Sequence, residues 1–181
     1  MMKPWFIATE PFDHRDGARW RKYIEWSGLI QLAELLSLDP ILCPPVLREL
    51  KDEYWPHIVN EDFMLAFFLE ADFLRRQVAH IQRKNFLCVF RNPLELPTAP
   101  NIGFEFAGYD LVDVEHSASA LTNCGGFPDV FSNTEISAAG LLTNFERAVE
   151  IQKSLRQRHP EERHAECHLW AIFRERTTAA P

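Results

Sequence analysis

The chain is 181 residues long, and at roughly 100–200 residues per domain it fits one domain built on one shared core. Lys plus Arg number 19 against 26 Asp plus Glu, a net charge of −7, so the surface repels phosphate backbones and nucleic acid is excluded as a general partner. At 46% hydrophobic, with 14 Phe and 5 Trp, the composition lies far from the sparse, highly charged regime of disorder.

The first ten residues carry an apolar stretch that breaks at Thr9 and Glu10, too short for the core of a secretory signal. The richest apolar region, Phe63 to Phe73, is interrupted by Glu70 and Asp72 and falls well below the roughly 18 residues that span a bilayer. The four cysteines, Cys43, Cys88, Cys124 and Cys167, are widely scattered, which suits neither zinc pairs nor a disulfide framework. The expectation is a cytoplasmic protein with reduced thiols and no membrane partner. No metal or cofactor is assigned.

Pro4 to Ala8 reads as a buried first strand, short, apolar and bounded by polar turn residues. Trp20, Tyr23 and Ile24 then fall on one face of a helix over Ala18 to Trp26 that stops at Ser27 and Gly28. Leu29 to Leu38 suits either a helix or a strand. Pro40 to Pro45 is a connector, because each proline removes a donor and constrains the residue before it. Val46, Leu47 and Leu50 give a helix over Val46 to Tyr54, ended by Pro56. Asn60 serves as an N-cap, with Glu61 and Asp62 in the first turn, and Phe63, Phe67, Leu74, Val78 and Ile81 line one face of a long helix.

Asn85 to Phe90 is a strand apolar on both faces. Leu94 to Asn101, with two prolines, is loop. Phe104 to Val114 alternates and then changes phase around Ala107 and Gly108, the signature of a bulge, bend or strand end. Glu115 to Gly140, about 26 residues without a sustained period, is long enough to be either functional or disordered. Thr143 to Glu146 has the form of a capping box, followed by a helix with Phe145, Ala148, Val149, Gln152 and Leu155 on one face. Glu166 to Arg174 is the last strand, with Cys167, Leu169, Ala171 and Phe173 on one side and His168, Trp170 and Ile172 on the other. These elements predict a single α/β or α+β domain over residues 1–176, with a central mixed sheet of four to five strands flanked by helices and a flexible tail at 177–181.

Three groups could carry chemistry. Cys124, followed by Gly125 and Gly126, could act as a nucleophile with His116 as base and Asp110 or Asp113 orienting it, Asp113 being preferred, while adjacent backbone N–H groups supply an oxyanion site. The competing reading makes Asn123 and the glycines a tight turn and Cys124 a small buried side chain. His164 and Glu166 copy half of the zinc deaminase pattern without its P-C-x-x-C half. A metal site using His159, His164 and His168 is geometrically possible, since an extended His164, Glu166 and His168 would share one strand face, but surface histidines before a strand are the commoner case. Last, Glu49, Asp52 and Glu53 lie beside Tyr54 and Trp55, and Asp110, Asp113 and Glu115 precede the long loop that holds Asn123 and Phe127. Aromatic residues flanked by acids suit docking of a basic protein.

The stretch Phe104 to Asp113, with Ser119 to Phe127, resembles small bacterial proteins of no established activity. In size, acidity and single-domain build the chain is similar to the immunity proteins that neutralise bacterial toxins, a likeness that implies protein binding and transfers no site residues. The expectation is therefore a non-enzymatic binding domain, immunity-like, with an acidic and aromatic surface. The alternative is a small hydrolase or transferase built on Cys124 and His116, which selective alkylation of Cys124 would favour.

Overall fold

The structure is a computed structural model that describes residues 3–13, 15, 17–59, 65–99, 103–122 and 126–176. Its strands are β1 (Trp5–Thr9), β2 (Phe12–Asp13), β3 (Glu34–Leu35), β4 (Asn85–Arg91), β5 (Phe104–Asp113) and β6 (Cys167–Glu175). The helices are α1 (Ala18–Ser27), α2 (Ala71–Gln77) and α3 (Phe145–Arg158), with 3-10 turns at Asp52–His57, Asn133–Glu135 and Arg163–Glu166. None of these helices is long and apolar enough to cross a membrane.

The main sheet has the order β1-β4-β6-β5, and β2 pairs with β3 in a separate two-stranded ribbon. Every pairing is antiparallel, so the architecture is α+β and the expected mixed sheet is corrected. The reason is topological. β4 and β5 run in the same direction, but the chain returns through α3 and inserts β6 between them, so no two parallel strands are neighbours.

The alternation read in the last strand holds. Cys167, Leu169, Ala171 and Phe173 of β6 join the larger core layer, together with Ala148, Ile151 and Leu155 of α3. Trp170 and Ile172 join the opposite layer with Leu87 and Val89 of β4. Among the described residues that second layer is closed by connecting segments, through Leu36, Leu38, Val59, Leu65, Phe67 and Leu141. The bulge in β5 is real, with the register to β6 shifting between Phe106 and Gly108. Gly108 has φ +150°, and a Cβ there would lie 2.6 Å from Leu141 Cβ and 2.7 Å from the Leu142 carbonyl oxygen, so glycine is required by both torsion and space.

Both outer edges of the sheet are covered, which removes templates for unwanted strand pairing. Phe6 of β1 exchanges backbone hydrogen bonds with Phe68 at 2.9 and 2.8 Å, and Val46 N donates to Ala8 O at 3.0 Å. On β5, Tyr109 exchanges bonds with Leu142 at 2.7 and 3.0 Å, and Ala120 N donates to Leu111 O at 2.8 Å.

This edge pairing explains two helices that do not form. The long helix through Phe67 to Ile81 is reduced to Ala71–Gln77, because Phe67 and Phe68 feed opposite core layers and Phe68 is drawn to the β1 edge. Phe67 stacks on Trp170 at 5.0 Å between ring centroids. The Asn60 cap with Glu61, Asp62 and Phe63 lies outside the described residues. Likewise no helix spans Val46 to Tyr54: Val46 is tied to β1, and only Asp52–His57 coils, as a 3-10 turn. In the Leu29 to Leu38 segment the ambiguity resolves to the two-residue strand β3.

The cap of α3 is Asn144 rather than Thr143, its side chain accepting from Arg147 N at 2.8 Å. The described part of Glu115 to Gly140 is ordered core material, contributing Ala120, Leu121, Phe127, Val130, Phe131 and Ile136. The 177–181 tail lies outside the described residues.

Candidate functional site

The acids on β5 point to a structural role. Asp110 is fully buried on the face closed by connecting segments. Loops on that face bring backbone N–H groups that have no ladder partner, and each would be costly if left unpaired. Asp110 Oδ2 accepts from Ser37 Oγ at 2.7 Å and Leu38 N at 3.1 Å, while Oδ1 accepts from Ser119 Oγ at 2.6 Å and Leu111 N at 2.9 Å. Asp39, also buried, accepts from Ile41 N, Leu42 N and Ser119 N. Asp113 accepts from His116 N at 2.6 Å and Ala118 N at 2.8 Å. Burial raises the Asp110 carboxyl above its ordinary range, opposed by the bonds from Ser119 and Ser37.

The expected acidic surface along Asp110 to Glu115 is thereby corrected: Asp110 and Asp113 are inside, and only Glu115 is exposed. The serines and Asp39 of this network were not singled out in the sequence, although Asp39 before Pro40 carries an Asx-turn signal.

The proposed catalytic group is not assembled among the described residues. Cys124 and Asn123 lie outside them. His116 Nδ1 stands 3.8 Å from Asp113 Oδ1 and 3.7 Å from Glu115 Oε2, beyond hydrogen-bond distance. Phe127 is buried, with its ring 5.0 Å from that of His159 and 5.7 Å from that of His164. Burial pushes the Cys43, Cys88 and Cys167 thiols up to about 12, which makes them poor nucleophiles.

The three histidines considered as ligands have separate surroundings. His159 Nε2 pairs with the Asp129 carboxylate at 3.0 Å, and His168 Nδ1 lies 2.9 Å from Asn92 Nδ2. His164 is buried with neither ring nitrogen hydrogen-bonded among the described residues, and burial lowers its pKa. It sits in the 3-10 turn before β6, not on the strand, so the common strand face expected for His164, Glu166 and His168 does not exist.

The Trp55 region has the opposite character. Tyr54 is buried, edge-on to Phe73 at 5.7 Å and Phe68 at 6.2 Å, and it anchors the 3-10 turn. Tyr54 N donates to Lys51 O at 2.9 Å, Ile58 N donates to Trp55 O at 3.3 Å, and Pro56 stiffens the turn. On this anchored turn Trp55 is 59% exposed. Glu49, Asp52 and Glu53, just before it in the chain, are exposed as well, with Lys51 Nζ 3.9 Å from Glu53 Oε1. Leu69, joined to His57 O through its backbone N–H at 2.8 Å, adds exposed apolar surface, and Glu70 beside it is exposed.

A groove of about 460 Å³ opens where β4 leaves β6. Asn92, with φ +48°, takes over from the strand: its N–H donates to Leu169 O at 2.6 Å and its Oδ1 accepts from Leu169 N at 2.9 Å. Gln152 Nε2 covers the next carbonyl, Cys167 O, at 2.7 Å. The backbone edge is thus already satisfied by two amide side chains, and the neighbouring Arg156 and Glu166 lie 3.5 Å apart. No convergent charge or free donor set remains there to select a ligand. Comparison with protein-family models, with curated proteins and with solved structures gives no match.

Proposed function

We propose that this chain is a protein-binding domain whose docking surface is the Trp55 turn, with a cationic protein as partner. The observation that carries the reading is the indole of Trp55, 59% exposed on a turn held by the buried Tyr54. A large aromatic displayed on an anchored segment loses little conformational freedom when it is covered, the property of interface hot spots. The carboxylates of Glu49, Asp52, Glu53 and Glu70 supply a negative rim that accelerates and orients approach of a basic surface. The form of this role that we favour is immunity-like: occlusion of a cationic protein without chemistry on it.

The test is calorimetric titration of the full chain with a small cationic protein and with the same protein after lysine acetylation. Binding to the cationic form should weaken with salt and fall at least about tenfold in Trp55→Ala. Charge reversal at Glu49, Asp52 and Glu53 should slow association, whereas reversal at Glu161 and Glu162 should not. Equal binding by wild type and Trp55→Ala would sink the reading.

A further inference from the structure

α1 carries the inverse of the Trp55 pattern. Beside it lies a hollow of about 270 Å³ lined by Trp20, Arg21, Ile24, Glu25, Ile30 and Leu32. That volume is below the roughly 300–1,000 Å³ of small-molecule sites and suits one bulky side chain. Trp20 and Leu32 are buried and form its floor, while Ile30 stands 84% exposed at its rim. The rim is ordered: Gln31 Nε2 donates to Asn133 O at 2.7 Å and Ile136 O at 3.0 Å, and Gly28 N donates to Ile24 O at 2.9 Å.

The charge on this helix runs against the balance of the chain. Arg19, Arg21 and Lys22 face one acid, Glu25. Arg19 is engaged over the Phe12 ring at 4.3 Å, but among the described residues the side chains of Arg21 and Lys22 have neither an ion pair nor a hydrogen bond. All three cations sit in the N-terminal half of α1, where the helix dipole disfavours positive charge, so they do not serve the helix itself.

We infer that a second copy of this chain is a partner of the Trp55 turn, the α1 hollow of one copy receiving Trp55 while Arg21 and Lys22 meet Asp52 and Glu53. The inference rests on the reading of Trp55 as a docking surface. Its warrant is charge complementarity joined to shape: an exposed indole on a turn that carries the exposed Asp52 and Glu53 on one side, an apolar hollow beside cations that have no ion pair among the described residues on the other. Like net charge on the copies opposes association, but at physiological ionic strength the Debye length is about 8 Å, so distant repulsion is screened while close pairs are retained. The two surfaces differ, so the contact is heterologous and adds copies head to tail instead of closing as a symmetric pair.

Sedimentation of the full chain at physiological ionic strength, over rising concentration, provides the test. The average mass should climb with concentration. Trp55→Ala and the pair Arg21→Glu with Lys22→Glu should each weaken association at least about tenfold. Ile30→Asp, at an exposed position where folding is not at stake, should do the same. An equimolar mixture of Trp55→Ala, which keeps the hollow, and the double reversal, which keeps the indole, should restore a one-to-one dimer that grows no further. A mass independent of concentration, growth untouched by these variants, or a mixture that stays monomeric overturns the inference. If the chain stays monomeric while Trp55→Ala still loses the cationic protein, only self-association is wrong. If Trp55→Ala changes neither assay, the reading of Trp55 itself fails.

Discussion

The Trp55 turn and the middle of β5 look alike as sequence, each an aromatic residue beside acids, yet one lies at the surface and the other in the interior. Asp52 and Glu53 are exposed on the turn that displays the indole, whereas Asp110 is enclosed by Ser37, Leu38, Leu111 and Ser119. What separates them is the material opposite. A helix brings its own backbone hydrogen bonds to a sheet face, so α3 packs on one face through the apolar Ala148, Ile151 and Leu155 without needing a buried acceptor there. Loops bring unpaired N–H groups, and the face covered by Leu36 and Leu38 therefore needs a buried acceptor. Asp110 fills that need, and acidity there is a device of folding.

The comparison breaks most readily at its buried end. Asp110→Ala should strip partners from two serine hydroxyls and two backbone N–H groups and cost at least about 3 kcal/mol in chemical denaturation. Little loss of stability would show that loops on that face do not depend on the carboxylate. Close behind, Gly108→Ala drives a Cβ into Leu141 and the Leu142 carbonyl and should cost about 2–4 kcal/mol. The readout is the denaturation midpoint, and an unchanged midpoint would mean that β5 can shed its bulge.

His164 gives a smaller effect of definite sign. The folded chain holds it neutral, by burial, while the unfolded chain protonates it near the ordinary pKa of about 6.5. Below that pH the unfolded state binds the extra proton, so stability should fall as pH drops through about 6.5 and continue falling to the lowered folded value. His164→Leu should remove this part of the slope. Because the ring nitrogens have no partners among the described residues, the same change should leave stability at neutral pH unaltered or improved. A melting series from pH 8 to pH 5 in both proteins checks the assignment, and identical slopes would refute it.

At the exposed end, effects on stability should be least. Trp55→Ala should cost under about 1 kcal/mol, and Asp52→Ala should stay within about 0.5 kcal/mol. A larger loss in either would mean that the turn belongs to the core and not to a docking surface. Binding, not melting, is where Trp55→Ala should register.

Much of the fold was legible because strand alternation is local. The run from Asn85, the phase change at Gly108 and the two sides of Cys167 to Phe173 are properties of neighbouring residues, and all three appear in the sheet. The helix through Phe67 failed for the opposite reason: its apolar spacing also fitted an extended segment, and the deciding partner, Phe6, is some sixty residues away in sequence. Within the candidate site, the aromatic and acidic character of residues 49–55 was readable, but the separation of buried Tyr54 from exposed Trp55 depends on Phe68 and Phe73.

By itself the sequence determined an acidic chain with a two-faced sheet and a glycine-dependent bulge, since charge, side-chain period and the space around a Cα follow from residue identity. Only the tertiary structure decided which acids face water. That outcome depends on whether a helix or a loop closes over each face, and so on backbone hydrogen bonds that distant segments bring with them.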